Sequence, residues 1–217
     1  MASFRDRADA GRQLAGQLAA SRLAEPLILG LPRGGVPVAA EVAAELDAPL
    51  DAFVAQKIGA PGHAELGIGA VAEGLSEPVI SPVAADIGLS PADVRGLAGA
   101  AKAEVSRRVD RYRGGRPLPA LANRDVVVVD DGLATGITAE AALRALHQRD
   151  PARLILAVPV GAPQTAGRLT AVADEVICVE MPPFFQAVGQ WYLDFSALTD
   201  DEVVRSLAAR GSGQPES

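Results

Sequence analysis

Apolar runs alternate with amphipathic stretches along most of the chain, the pattern of a mainly parallel sheet covered by helices. PLILGL at 26–31 is apolar without interruption, as a strand buried on both faces requires. The same reading places strands at 49–56 (PLDAFVAQ), 126–130 (VVVVD), 153–160 (RLILAVPV) and 174–180 (DEVICVE). Helical periodicity predicts helices over about 7–21, 35–46, 137–148, 164–172 and 200–209. The fold class that follows is α/β, a doubly wound and mainly parallel five-stranded sheet. Between the second and third strands lie about seventy residues, too many for a simple crossover. There GIGAVAEG at 67–74 and EPVIS at 77–81 predict a hairpin. Ser90, Pro91 and Asp93 start a helix that runs to about 112, with serine as the cap and proline in the first turn. RGGRPLP at 113–119 ends that helix, and MPPFFQAVGQWYLDF at 181–195 leaves the alternation, concentrating prolines and aromatics in a small lobe.

Composition narrows the function classes. A length of 217 residues suits one medium domain, or one domain with a small appendage. No apolar run approaches the ~20 residues of a membrane helix, so no membrane partner is expected. The first twenty residues carry Arg and Asp throughout and lack the apolar stretch of a signal peptide, which makes cytoplasmic residence the expectation. A net charge of −7 speaks against broad capture of nucleic acid, so an anionic ligand must be held by a few local donors or a metal. The single cysteine, Cys178, excludes an intrachain disulfide framework, and its apolar surroundings predict a buried structural role.

The densest chemistry follows the third predicted strand. Four valines lead to Asp130 and Asp131, then Gly132, Leu133, Ala134, Thr135, Gly136, Ile137 and Thr138. Ligands of open α/β sheets bind at this carboxyl edge. Glycines let successive amides and the next helix N-terminus surround a phosphate, and Thr135 and Thr138 add hydroxyls. Two carboxylates beside the cradle would repel a bare phosphate, so they point to a sugar diol or a magnesium ion. Phosphate plus diol describes a ribose 5-phosphate. The plainer alternative is a strand-to-helix turn in which the aspartates only cap the helix.

VVVVDDGLATGIT at 126–138 resembles the 5-phosphoribosyl-1-pyrophosphate signature of type I phosphoribosyltransferases, and its wording is closest to the adenine-type members. The resemblance implies that Asp130 and Asp131 hold the ribose hydroxyls and any Mg²⁺, through water or substrate oxygens. It implies that Ala134, Thr135, Gly136, Ile137 and Thr138 hold the 5-phosphate. It also implies a pyrophosphate loop after the first strand, which LPRGGVPVA at 31–39 supplies with Arg33, Gly34 and Gly35. In QKIGAPG at 56–62, Lys57 stands where such enzymes place a pyrophosphate-binding lysine, although Gln56 replaces the usual arginine; an ordinary solvated lysine is the other reading.

By the same resemblance residues 1–180 form the core domain, with a mobile loop at 58–81 and a helical insertion at 82–116, while 181–217 form an acceptor hood and tail. His63 in the loop is read as incidental. In the hood Phe184, Phe185, Trp191 and Tyr192 offer faces for a nucleobase, and packing of a small lobe explains them nearly as well. In the insertion, Glu104, Arg107, Arg108 and Arg111 share one helical face, read as a solvated basic face, with Arg107 or Arg111 reaching the site as the other reading. Hypoxanthine-guanine types carry an aspartate where this chain has Ala134, so those acceptors are disfavoured. The expected activity is transfer of phosphoribosyl from Mg²⁺-bound donor to a nucleobase-like nitrogen, by a cytoplasmic homodimer that binds no nucleic acid. The alternatives are a non-enzymatic sensor of phosphoribosyl pyrophosphate or nucleotide, and a hydrolase of a phosphoribosyl compound.

Overall fold

A computed structural model describes residues 3–211. Its elements in chain order are α1 (Arg7–Leu18), β1 (Leu27–Gly30), α2 (Gly35–Glu45), β2 (Leu50–Ala52), β3 (Ala55–Ala60), β4 (His63–Ala72), β5 (Val79–Ile80), α3 (Pro82–Asp86), α4 (Pro91–Arg113), β6 (Asp125–Val129), α5 (Ile137–His147), β7 (Arg153–Val160), α6 (Pro163–Leu169), β8 (Glu175–Glu180) and α7 (Asp200–Gly211). Five strands form a parallel sheet in the order β2-β1-β6-β7-β8. The remaining three form an antiparallel sheet in the order β3-β4-β5.

The uninterrupted apolar strands have the expected cause. Ile28, Val127, Val129, Ile155 and Ala157 pack against Leu14 and Leu18 of α1 and Val38 and Val42 of α2. The alternate residues Leu27, Leu29, Val126, Val128, Leu154 and Leu156 pack against Leu143 and Leu146 of α5 on the other face. With both faces covered, every position along a strand must be apolar. Cys178 on β8 is half-buried at the sheet edge, and burial pushes its thiol up to about 11.

Two sequence expectations need correction. The run 49–56 is two strands rather than one: β2 ends at Ala52, and the chain leaves the parallel sheet through Phe53 and Val54 to begin β3. Both segments are apolar, so periodicity shows no boundary between them. The segment 58–81, expected as a loop, is largely antiparallel sheet, with Gln56 opposite Val71 and Gly69 opposite Ile80. The predicted hairpin of 67–74 with 77–81 is present, but the longer pairing joins β4 to β3. Its glycines sit inside strands because neighbours crowd them: a side chain at Gly69 would meet the Val79 carbonyl at 2.6 Å.

The antiparallel sheet turns Ala55, Ala70 and Ala72 toward α5 and Ile58, Ile68 and Val71 toward α4, where Val203 and Leu207 of α7 complete a second core. Helix α4 starts as expected, Ser90 and Asp93 forming a reciprocal capping box, and ends at Gly114 with φ of 58°. Its last residue, Arg113, does not belong to a solvated face. It is 4% exposed, pairs with Glu73 at the end of β4, and donates to the Ala52 carbonyl at 3.4 Å. Glu73 also accepts from the Val54 amide at 2.9 Å, so this pair holds the strand crossing between the two sheets. Arg113→Met leaves a buried carboxylate without its cation and is expected to cost about 3–5 kcal/mol in a denaturant titration.

Candidate functional site

Strands β1 and β6 are neighbours, yet the helices that follow them leave on opposite faces, α2 toward α1 and α5 toward the antiparallel sheet. That divergence opens a crevice at the carboxyl ends of the two strands. The loops 31–35 and 130–136 meet there. The Leu31 amide donates to the Val129 carbonyl at 2.8 Å and the Gly35 amide to the Leu31 carbonyl at 2.9 Å. A side chain on Gly35 would meet the Val129 carbonyl at 2.4 Å and the Asp130 Cα at 2.8 Å. One on Gly34 would meet Asp131 Oδ2 at 1.8 Å. Gly35 is therefore required by the backbone at the end of β6, and a side chain at 34 would have to displace the Asp131 carboxylate. The Pro32–Arg33 peptide in the loop from β1 to α2 is cis.

Asp130 and Asp131 lie side by side and part-buried at the end of β6. Burial pushes both carboxyls up, and the charge of Asp131 raises Asp130 further, while Arg7 works against the rise at Asp131. Asp130 Oδ1 accepts from the Asp131 amide at 2.9 Å. Asp131 Oδ2 accepts from Arg7 Nε, also at 2.9 Å, and the Tyr192 hydroxyl donates to the Asp131 carbonyl at 2.6 Å. Neither Arg7 nor Tyr192 in this supporting role was legible in the sequence. They are 124 and 61 positions away from Asp131 in the chain, so no local pattern connects them.

The phosphate-loop candidates form one turn. Among the described residues, nothing accepts from the amides of Ala134, Thr135, Gly136, Ile137 or Thr138. Their direction is set from behind. Thr165 Oγ1 donates to the Ala134 carbonyl and Arg168 Nη2 to the Thr135 carbonyl, both at 2.7 Å. Because peptides are planar and trans, holding those carbonyls toward α6 points the next amides, of Thr135 and Gly136, the opposite way. Arg168 is itself paired with Glu140, which is buried and also binds Arg144 at 2.9 Å. Gly136 takes φ of 69° to begin α5, and a side chain there would meet Thr165 Cγ2 at 2.6 Å. Thr165 and Arg168 are further site-shaping residues that sequence reading missed, since they lie on α6, separated from the loop by α5 and β7.

Arg33 reaches away from the crevice. It pairs with Asp200 at 3.0 Å and donates to the Leu198 carbonyl at 2.8 Å. Asp200 also binds Arg107 at 2.9 Å and the Tyr112 hydroxyl at 2.7 Å, while Arg111 pairs with Asp201 at 2.5 Å. The basic face of α4 is thus engaged by Glu104 and the start of α7, not by the crevice. Lys57 Nζ binds the Glu65 carbonyl at 2.8 Å and its carboxylate at 3.1 Å across the β3–β4 hairpin. A side chain on Gly67 would meet the Lys57 stem at 3.1 Å and Ile137 Cγ2 at 3.8 Å, so Gly67 lies beside both. His63 is exposed at the start of β4. Of the four aromatics expected in a hood, Tyr192 is 5% exposed and packs between Phe4 and Phe195, with ring centroids at 5.3 and 4.9 Å. Phe185 and Trp191 pack against that cluster, and Phe184 is 90% exposed.

Among the described residues no three His, Cys, Asp or Glu side chains converge as a metal cage. The two adjacent carboxylates fit an ion that keeps most of its ligands from water or substrate, as Mg²⁺ does. A groove of about 850 Å³ lies elsewhere, lined by residues 75–80, parts of α5 and 170–174, and none of the candidate residues faces it. The unpartnered amides beside two carboxylates mark the site, rather than concave volume.

The fold is that of a doubly wound α/β protein, and the candidate residues lie at the switch point between β1 and β6. The sequence profile of the phosphoribosyl transferase domain matches residues 3–196, and the chain belongs to that family. A Mycobacterium tuberculosis protein, named provisionally as a phosphoribosyl transferase, is 44% identical over 207 residues, which are 95% of this chain and 47% of that protein. The chain therefore spans about half the length of the curated relatives it matches. A crystal structure from Thermus thermophilus is 45% identical with a TM-score of 0.79, covering 97% of this chain and 99% of that one. A Neisseria gonorrhoeae protein crystallised with ppGpp shares the fold at 15% identity and a TM-score of 0.53, over 96% of each chain. No helix among the described residues is long and apolar enough to cross a membrane.

Two outcomes follow from this geometry. Gly35→Ala sets a methyl against backbone that cannot yield and is expected to lose about 1–3 kcal/mol, read as a lower Tm by calorimetry. For Asp200, burial opposes ionisation, but Arg107, Tyr112 and Arg33 outweigh it and hold the carboxyl at about 2, below its ordinary 3.8. Its contribution is therefore complete above about pH 4 and disappears as pH falls through about 2. Asp200→Asn should flatten the acid side of the stability profile in that window.

Proposed function

We propose that the chain binds Mg²⁺-5-phosphoribosyl-1-pyrophosphate in this crevice and transfers the phosphoribosyl group to a ring nitrogen of a nucleobase-like acceptor. The observation that carries the reading is the rank of unpartnered amides at 134–138 standing directly beside Asp130 and Asp131. An oxyanion suits the amides and a diol suits the carboxylates, and a ribose 5-phosphate offers both. Asp130 and Asp131 accept from the ribose hydroxyls. The amides of Ala134, Thr135, Gly136, Ile137 and Thr138, with the two threonine hydroxyls, hold the 5-phosphate.

The pyrophosphate lies toward Gly34, Gly35 and Arg33, which exchanges Asp200 and the Leu198 carbonyl for it. Lys57 adds a second cation once released from the exposed Glu65, a pairing that solvent makes weak. Magnesium enters as part of the substrate, ligated mainly by substrate oxygens, with Asp130 and Asp131 facing it through water or hydroxyls. In the reaction the C1–O bond to pyrophosphate breaks, the C1–N bond forms, and the acceptor nitrogen gives up its proton. Charge develops on the departing pyrophosphate, which Arg33 and Lys57 neutralise.

Residues 181–195 serve as the acceptor hood on the 1–180 core. Phe184, Phe185 and Trp191 are its available faces, whereas burial assigns Tyr192 to support of Asp131. A homodimer and cytoplasmic residence complete the reading. Incubation with phosphoribosyl pyrophosphate, Mg²⁺ and a panel of bases is expected to release pyrophosphate with at least one acceptor, adenine-like before hypoxanthine or guanine. Asp131→Asn should lower that rate by on the order of a hundredfold. Tight donor binding without turnover on any acceptor overturns transfer and leaves a sensor. Release from the donor without any base identifies a hydrolase.

A further inference from the structure

Arg7 is the first residue of α1, and four local constraints hold it. Asp6 caps the helix, accepting from the Asp9 amide at 2.8 Å. The preceding strand-like segment is tied to the hood: the Phe4 amide donates to the Trp191 carbonyl at 3.0 Å, the Leu193 amide to the Phe4 carbonyl at 2.9 Å, and the Asp194 amide to the Arg5 carbonyl at 2.8 Å. Phe4 is buried against Tyr192. The guanidinium itself lies 4.0 Å from the Phe195 ring centroid and donates through Nη1 to the Ser196 carbonyl at 2.9 Å. Its Nε then meets Asp131 Oδ2, with side-chain exposures of only 12% and 16%.

The consequence at Asp131 is asymmetric. Oδ2 is taken by Arg7 and lies over Gly34, where no side chain intervenes. Among the described residues no side chain donates to Oδ1. A carboxylate rotates readily about its last bond, and a charged donor held in place on one oxygen restricts that freedom.

We propose that Arg7 is a positioning residue of the phosphoribosyl site, fixing one oxygen of Asp131 so that the other is presented to a ribose hydroxyl. The segment 3–7, together with residues 191–196 that it pairs with, is thereby part of the site rather than a peripheral appendage. The inference rests on the reading of Asp131 as a ribose ligand, and it adds a residue that acts through Asp131 without touching substrate. It assigns Arg7 to selection for the sugar hydroxyls and not to capture of the phosphate.

The test is calorimetric binding of ribose 5-phosphate and of its 2-deoxy and 3-deoxy analogues to the whole chain, as wild type, Arg7→Met and Arg7→Lys. Wild type is expected to prefer ribose 5-phosphate over at least one deoxy analogue by about tenfold or more, the worth of a hydrogen bond to a charged group. Arg7→Met should bring that ratio to within about twofold of unity while leaving the affinity for the corresponding deoxy analogue within about twofold. Arg7→Lys should restore part of the ratio. If Arg7→Met does not fold, Phe195→Leu removes the ring beneath the guanidinium and should reduce the ratio to a smaller extent. Undiminished discrimination in the folded variants overturns the role of Arg7 alone. Failure of wild type to bind ribose 5-phosphate overturns the ribose reading, and this inference with it.

Discussion

The site depends on one steric relation, the absence of side chains at 34 and 35 opposite the carboxylates at 130 and 131. A Cβ on Gly35 would fall 2.4 Å from the Val129 carbonyl, so the loops interlock there only through glycine, and one on Gly34 would fall 1.8 Å from Asp131 Oδ2 and displace that carboxylate. That contact joins the ends of β1 and β6 and fixes the width of the crevice between them. The candidate site residues are placed relative to it: the acidic pair and the amides of 134–138. The divergence of α2 and α5 to opposite faces then leaves this junction uncovered from above.

Around the junction, support is layered by chain segments remote in sequence. Helix α6 holds the loop carbonyls through Thr165 and Arg168, which orients the amides without contacting a ligand. Such an arrangement separates two jobs. The loop supplies donors, and a helix behind it determines where they point. On the other side, the segments 3–7 and 191–196 hold Asp131 through Arg7 and Tyr192. Both layers are built from groups whose partners are backbone carbonyls or a single carboxylate, so they tolerate little displacement.

A third layer joins the insertion to the C-terminal helix. Thr199 caps α7 by accepting from the Glu202 amide at 3.2 Å while its own amide donates to Glu202 at 2.7 Å, and this places Asp200 and Asp201 toward α4. Arg107 and Arg111 of α4 are consequently paired within the protein. Glu104 is held near 2 by Arg107 first, against burial, with Arg108 adding to the effect. The same carboxylate of Asp200 that completes this cluster also takes Arg33, which couples the glycine loop to the outer helices.

Much of this was legible locally. Valine-rich strands identify themselves because both faces are buried, the capping box of α4 is a four-residue pattern, and the order of apolar strand, acidic pair and glycine-threonine turn is contiguous. The candidate residues of both loops were likewise readable, because each loop is a single run of chain. What the sequence by itself determined is therefore the set of groups that can meet an anion and a diol. Tertiary structure decided which groups are held, and by what. Arg33 faces Asp200, Tyr192 lies buried beneath Asp131, Arg113 is in the core, and Arg7 stands at the site from 124 residues away. The physical reason is range: periodicity and capping act over one or two turns, whereas a side chain's partner depends on burial and close packing between segments that only the folded chain brings together.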